Sequence, residues 1–233
     1  MLDWVITMGW KFVFKTNSYI TVGVKWRRKK TGSETHWESH GGHRGICVPM
    51  LAKWLQKSIP LGYRGIRFAS ELRLGARDFH FVSELQASSL MGITHSAFSV
   101  QKSAFGLVPE RPFHNVVAVF NVYDLFVKDY AAEGAYFFNL TAMFDKVCFN
   151  YGYFALIMIN LNPCNSVGHT IGFRHDYQIF QMFDPNLGLI EYSDEESFRK
   201  NVQFNFLTNE VYYRYIRCSK HNYWVLLEID RIS

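Results

Sequence analysis

The chain contains 233 residues, of which 48% are hydrophobic and 17% aromatic; this composition excludes a disordered protein and suffices for a buried core. Four cysteines in a chain of this length exclude a disulfide scaffold, so a reducing compartment is the expected environment. The net charge of +5 is moderate, and because no recognised nucleic-acid-binding motif accompanies it, no nucleic-acid partner is expected.

The first 45 residues are predicted to be an appended N-terminal segment within a single domain that spans residues 1–233. WKFVFK and YITVGVKW alternate in the manner of short strands. The polar stretch TGSETHWESHGGHRG is predicted to be an exposed loop, because adjacent glycines disfavour regular structure. Asp3 and the lack of a small-residue cleavage site argue against a cleaved secretory signal peptide, which leaves another secretion route open.

A cluster of positive charges surrounds Trp26 in the stretch KWRRKK. Its members are Lys25, Arg27, Arg28, Lys29 and Lys30. Such a cluster can bind an anionic membrane or an acidic partner, although a solvated loop or strand end is the alternative interpretation.

A helix is predicted from about Cys47 to about Ser58, because apolar residues recur there at helical intervals. Pro49 is compatible with this helix, since its missing N–H falls in the first turn, where it would have no partner. The stretch 70–150 is predicted to be mostly helical, with one helix over SELQASSLMG and another over VVAVFNVYDLFVKDYAAEG that ends at Gly134.

From Tyr151 onward the sequence is typical of an antiparallel meander. YFALIMINLN, GHTIGFRHD, YQIFQMFDPN and GLIEYS are short β-rich runs that turn residues separate. Ser193 and Glu196 form a predicted capping box for a further helix, and VYYRYIRC and YWVLLEI are predicted as the last strands. The order of these elements predicts an α+β fold.

Cys47, His169 and Asp184 are the candidate catalytic residues. A thiol acts as a nucleophile when it is ionised, and a helix N-terminus together with a nearby imidazolium favours the ionised form. His169 opens one predicted strand and Asp184 closes the next, so a hairpin near RHDY would place the imidazole beside the carboxylate. Each residue alone has an ordinary structural interpretation, and it is their conjunction that favours catalysis.

Three motifs surround these residues: GICVPMLAKWL from Gly45 to Leu55, GHTIGF from Gly168 to Phe173, and FDPNLG from Phe183 to Gly188. In their order and spacing they resemble the YopT-type cysteine protease family of bacterial effectors, over residues 43–57 and 153–205. The resemblance implies a papain-like fold in which a helix-rich first half packs on an antiparallel sheet from the second half. It also implies a Cys47–His169–Asp184 triad that needs no cofactor.

The chain departs from papain-like enzymes near its predicted nucleophile. Those enzymes usually place Gln or Asn five or six residues before the cysteine, whereas residues 41–42 are both glycine here. The backbone N–H of Cys47 can donate to an oxyanion, and His43, Arg44 or His40 are the candidates for the second donor. Losing one such donor costs about 2.7–4 kcal/mol in the transition state, so a second donor is expected.

His36, His40, His43 and Cys47 also have a spacing that superficially suits zinc. Histidines four residues apart share a face only on a helix, and the adjacent glycines favour a loop instead. No metal site is therefore expected.

The sequence thus predicts a cysteine endopeptidase, a thiol hydrolase that cleaves a host protein through a Cys-His-Asp triad. The resemblance implies a virulence effector that a bacterium secretes without a cleaved signal peptide and that acts in the host cytoplasm. Two alternatives stay open: another thiol acyl transfer on the same triad, such as deamidation or transglutamination, and a catalytically inert binding module that uses the basic cluster.

Overall fold

The structure, a computed structural model, describes residues 9–16, 27–30, 33–36, 47–62, 65–68, 72, 114–135, 138–160, 167–177, 179–209, 212, 215 and 222–232. The helices within these ranges are α1 (Cys47–Leu61), α2 (His114–Val122), α3 (Leu140–Phe149) and α4 (Glu195–Thr208). The strands are β1 (Trp10–Lys15), β2 (Arg27–Lys30), β3 (Ser33–His36), β4 (Leu125–Ala135), β5 (Gly152–Asn160), β6 (Val167–His175), β7 (Phe180–Asp184), β8 (Gly188–Tyr192) and β9 (Asn222–Arg231).

The main sheet is antiparallel and has the strand order β1-β8-β7-β6-β5-β9-β4. Strands β5 to β8 follow one another in both sequence and space, which confirms the predicted meander. The predicted strands WKFVFK and YWVLLEI are also confirmed, as β1 on one edge and as β9 between β5 and β4.

Helices cover both faces of the main sheet, and the α+β class is confirmed. Strand β5 shows the two faces clearly, because Ala155 and Ile157 pack with α1 and α2 while Phe154 and Leu156 pack with α3 and α4. A strand that is buried on both sides needs apolar residues at every position, which explains the unbroken run YFALIMI.

Helix α1 begins at Cys47, as predicted, and follows β6 along its length. At position 172 a Cβ would lie 2.5 Å from both Leu51 Cδ1 and Trp54 Cζ3, so only glycine allows this close approach of helix and strand. One further turn along α1, the carbonyl of Ser58 accepts a hydrogen bond from the Tyr153 hydroxyl at 2.9 Å. This packing places the N-terminus of α1 at the end of the sheet where β6 begins.

The prediction of one helix through to Gly134 is wrong. Helix α2 ends at Val122, and Asp124 adopts a positive φ of 57° before β4 begins at Leu125. The segment pairs with β9 from Leu125↔Arg231 to Ala135↔Tyr223. Its aromatic and β-branched residues are weak helix formers, so strand pairing and burial of Leu125 determine the conformation.

Three other local predictions also need correction. Helix α4 has Asp194 rather than Ser193 as its N-cap, because the Asp194 carboxylate accepts the Ser197 N–H at 2.7 Å. The predicted strand VYYRYIRC is helical at Tyr212 and Tyr215. Part of the predicted polar loop is β3, which pairs with β2 in a separate hairpin; such a ladder uses backbone groups and tolerates polar side chains.

Some sequence-based predictions lie outside the described residues. They are the strand YITVGVKW and the helix SELQASSLMG. Within the described ranges, Cys148 is a buried free thiol, and no helix is long and apolar enough to cross a membrane.

Candidate active site

Cys47 is the first residue of α1 and is 8% exposed. The first turn of the helix contains no acidic side chain, so nothing within that turn offsets the partial positive charge of the free N–H groups. A negative charge on the Cys47 sulfur would therefore be stabilised by the helix N-terminus.

His169 and Asp184 meet where β6 begins and β7 ends. The ladder between β6 and β7 ends at the pair Gly172↔Phe183. His169 precedes Gly172 on β6 and Asp184 follows Phe183 on β7, so both lie at the same end of the ladder. His169 Nε2 lies 2.8 Å from Asp184 Oδ2, and the two side chains are 4% and 1% exposed. The structure thus places this imidazole beside this carboxylate, as the sequence analysis expected.

The Cys47 side chain lies near enough to His169 to raise the pKa of the imidazole, through both its hydrogen-bonding capacity and its charge. Because Asp184 occupies Nε2, the remaining ring nitrogen, Nδ1, is the one available to the thiol. The structure therefore brings together all three residues that were singled out from the sequence.

Electrostatics favour a charged imidazole at this site. Burial opposes the charge on His169, but the Asp184 carboxylate and the Cys47 side chain outweigh burial and raise the pKa of His169 well above its usual value. Burial likewise opposes the charge on Asp184, yet the imidazolium and the hydrogen bonds to the carboxylate lower the pKa of Asp184. Both shifts favour the imidazolium–carboxylate ion pair over the neutral pair.

The carboxylate of Asp184 has further partners that the sequence analysis missed. The backbone N–H of Asn186 donates to Oδ1 at 2.6 Å. The hydroxyl of Tyr212 donates to Oδ2, the same oxygen that faces His169. Tyr212 gave no sequence signal, because VYYRYIRC alternates like a strand, and any of its three tyrosines and two arginines could lie in the core or on the surface.

The turn that carries Asp184 is attached to the end of β1. The Thr16 hydroxyl donates to the Pro185 carbonyl at 2.8 Å and lies 3.2 Å from the Asp184 carbonyl, while the Thr16 N–H donates to the Leu187 carbonyl at 3.2 Å. At position 188, where φ is +119°, a Cβ would lie 2.1 Å from the Phe14 carbonyl oxygen, so glycine is required there.

Thr16→Val is expected to lower the free energy of unfolding by about 1–2 kcal/mol, because the nearly isosteric valine leaves the buried Pro185 carbonyl without its hydroxyl donor. Urea denaturation would measure this change. Thr208→Val is the matched control, since the Thr208 hydroxyl donates to the Phe204 carbonyl at 2.8 Å on an exposed surface, where water can replace it. Equal losses in the two variants would contradict a special role for Thr16.

The remaining predicted site residues are only partly described. His40, His43 and Arg44 lie outside the described residues, so the second oxyanion donor stays a prediction, as does the first, the Cys47 N–H. Among the described residues no group of histidines, cysteines and carboxylates could hold a metal ion. Within the basic cluster, Arg27–Lys30 form β2, and Lys25 is not described.

The arrangement has the components of nucleophilic acyl chemistry. It combines a thiol at a helix N-terminus, an imidazole that can exchange a proton with the thiol, and a buried carboxylate that orients the imidazole. These components suit attack on a carbonyl carbon.

No protein-family model and no curated protein matches the chain. Among solved structures, the Pseudomonas avirulence protein AvrPphB is similar at 17% identity over 81% of this chain and 93% of that chain, with a TM-score of 0.49. The ubiquitin-specific protease of murine cytomegalovirus tegument protein M48, solved with a ubiquitin-based suicide substrate, is similar at 11% identity over 88% of this chain and 85% of that chain, with a TM-score of 0.39. AvrPphB is a member of the family that the sequence motifs resemble, and the likeness concerns the fold alone.

Proposed function

We propose that the chain is a cysteine endopeptidase with Cys47 as the nucleophile and His169 as the acid–base residue. The observation that carries the proposal is the buried His169–Asp184 pair at 2.8 Å, with the Cys47 side chain on the same imidazole. A histidine that merely filled space in the core would need neither a carboxylate nor a thiol as its partner.

In the proposed reaction the Cys47 thiolate attacks the carbonyl carbon of a peptide bond. A C–S bond forms while the carbonyl π electrons move to the oxygen, which accepts a hydrogen bond from the Cys47 N–H. The His169 imidazolium protonates the leaving amine as the C–N bond breaks. The neutral imidazole then takes a proton from the water that hydrolyses the thioester, and the thiolate is released.

Asp184 contributes by orienting the imidazole and by stabilising its charged form. Because Asp184 Oδ2 binds Nε2, Nδ1 is the ring nitrogen that is left for the thiol. The low exposure of the pair excludes water, which strengthens these interactions.

The substrate that we propose is a host protein, and the proposed place of action is the host cytoplasm after secretion from a bacterium. The support is the resemblance of the three sequence motifs to YopT-type effectors. A reducing cytoplasm would also keep the catalytic cysteine as a free thiol.

Host-cell lysate treated with the protein is expected to contain new protein N-termini that N-terminal proteomics can identify. These N-termini should be absent with Cys47→Ala, because this variant lacks the nucleophile. Cys148→Ala is the matched control and should generate the same N-termini as the parent, since Cys148 is a core thiol whose pKa burial raises to about 12.

Two outcomes would contradict the proposal. New N-termini that persist with Cys47→Ala would show that another group or a contaminant cleaves the substrates. Intact substrates that gain about one mass unit at glutamine would indicate deamidation, which the same thiol and imidazole can catalyse.

A further inference from the structure

Tyr212 lies against the candidate triad although it belongs to none of the three motifs. It is 1% exposed, and its ring centroid is 5.7 Å from that of His169. On α4, the Phe206 ring stacks on the Tyr212 ring at 4.8 Å. The packing aims the phenol hydroxyl at Asp184 Oδ2.

We propose that Tyr212 is a positioning residue for the protease reaction, and that its hydroxyl holds the buried Asp184 carboxylate ionised and directed at His169 Nε2. This inference rests on the proposed function, but it concerns the hydroxyl group of one residue outside the triad.

The burial of Asp184 gives the hydroxyl its importance. A carboxylate that is removed from water needs hydrogen-bond donors to stay ionised. The imidazolium occupies Oδ2 on one side, the Asn186 N–H occupies Oδ1, and the Tyr212 hydroxyl supplies a second donor to Oδ2. Without that hydroxyl, the oxygen that must bind His169 would have one donor fewer to stabilise its charge and to hold its direction.

Tyr212 is suited to donate and not to ionise. Burial and then the Asp184 charge raise the pKa of Tyr212 well above its usual value, so the phenol keeps its proton. In return, the Tyr212 hydrogen bond is among the causes that lower the pKa of Asp184. Among the described residues, His169 and Tyr212 are the titratable groups that act on Asp184, and Tyr192 acts on Tyr212.

Tyr212→Phe separates the hydroxyl from the ring, since phenylalanine can keep the contacts with Phe206 and His169. We expect kcat to fall about tenfold with KM changed less than about twofold, because one hydrogen bond to a charged group is lost. The matched control is Tyr192→Phe, which removes a buried hydroxyl that donates to Asn201 Oδ1 at 2.8 Å. That variant should lose stability but keep kcat.

A second readout needs no substrate. The rate at which iodoacetamide alkylates Cys47 reports the thiolate–imidazolium pair, which depends on an ionised Asp184. The acid limb of the rate–pH profile is the range over which the alkylation rate falls as the pH is lowered. We expect this acid limb to lie at higher pH in Tyr212→Phe than in the parent, and at the parental pH in Tyr192→Phe. Site-specific 3-fluorotyrosine at position 212 keeps the ring and makes its hydroxyl a stronger donor, so the limb should move to lower pH.

Opposite movements of the acid limb with phenylalanine and with fluorotyrosine would support the positioning role, because a packing defect would not change sign. Superimposable limbs for the parent and both position-212 variants would overturn it. Should Tyr212→Phe fail to fold, the fluorotyrosine protein alone decides between these outcomes. If no peptide is cleaved by any variant, the proposed protease function fails while the alkylation profiles still test the positioning role.

Discussion

His169→Ala is expected to lower kcat/KM for a cleaved peptide by about 10⁴-fold to 10⁶-fold, the range found when a base is removed from a catalytic triad. The reason is that one residue performs two steps. The imidazolium stabilises the thiolate before attack and then protonates the leaving amine. Initial rates on a peptide identified by N-terminal proteomics would measure the loss.

The matched control is His175→Asn, which alters the other buried histidine of the same strand. His175 Nδ1 donates to the Val147 carbonyl at 3.0 Å, and the ring stacks on Phe180 at 4.0 Å, so its contacts are with the core. An asparagine amide can replace the donor, and kcat/KM should stay within about threefold of the parent. A His169→Ala enzyme that retained parental kcat/KM would remove the basis for the proposed mechanism.

Alkylation near pH 6 tests the same residue without a substrate. Iodoacetamide should label Cys47 ahead of Cys148, whose pKa burial raises to about 12, and His169→Ala should slow the labelling of Cys47 because the positive charge beside the sulfur is gone. Denatured protein provides the reference rate for an accessible thiol.

The pairing of His169 with Asp184 could be predicted from the sequence because a hairpin has few registers. Apolar alternation fixes which residues of β6 and β7 face each side of the sheet, and the turn between them fixes their alignment. With Gly172 opposite Phe183, the ends of the two strands must meet. The position of Cys47 followed similarly, because Pro49 in the first turn marks the start of α1.

Other parts of the site could not be predicted because they depend on contacts distant in sequence. Thr16 binds a turn 168 positions away, and a lone threonine after a strand carries no sign of such a partner. Tyr212 lies in a stretch whose alternation favours a strand, whereas its packing on Phe206 and its bond to Asp184 accompany a helical backbone. Tertiary contacts of this kind override local preference.

The border between α2 and β4 shows the same limit in the fold. The apolar residues around Tyr123 suit either a helix or a buried strand, and neither glycine nor proline marks the turn. Asp124 makes the turn with a positive φ, which aspartate tolerates better than most residues. Only the presence of β9 as a pairing partner selects a strand from Leu125 onward.

The slope of the free energy of unfolding against pH is expected to have opposite signs in the parent and in Asp184→Asn. The pKa of His169 is raised in the folded protein. The stability that its charge contributes is therefore complete below the unfolded-state pKa of about 6.5, and it is lost as the pH rises through the folded-state pKa. The pKa of Asp184 is lowered, so its contribution is complete above about 3.9 and is lost at lower pH. The pair therefore stabilises the parent most between about pH 4 and 6.5.

In Asp184→Asn the carboxylate is absent, so burial, already the largest single cause that acts on His169, is no longer outweighed by Asp184. Burial lowers the pKa of an imidazole, so folding then favours the neutral ring. Stability increases with pH from that lowered folded pKa up to about 6.5, above which this contribution is complete. At about pH 5 the buried imidazole would have lost its counter-charge, and we expect a loss of about 3–5 kcal/mol relative to the parent. This difference should shrink toward pH 9, where the variant no longer has to bury a charge.

Urea denaturation at intervals from about pH 5 to 9 would measure these slopes, with Cys47→Ala in every protein to prevent self-cleavage. Asp194→Asn is the matched control, because it replaces an exposed N-cap carboxylate by another good N-cap residue. Asp194 is ionised throughout this range in both the folded and the unfolded chain, since its pKa is lowered from an already acidic value, so the control should keep the parental slope. Parallel slopes for the parent and Asp184→Asn would mean that His169 is not charged in the folded protein, and the ion pair at the centre of the proposed site would have to be abandoned.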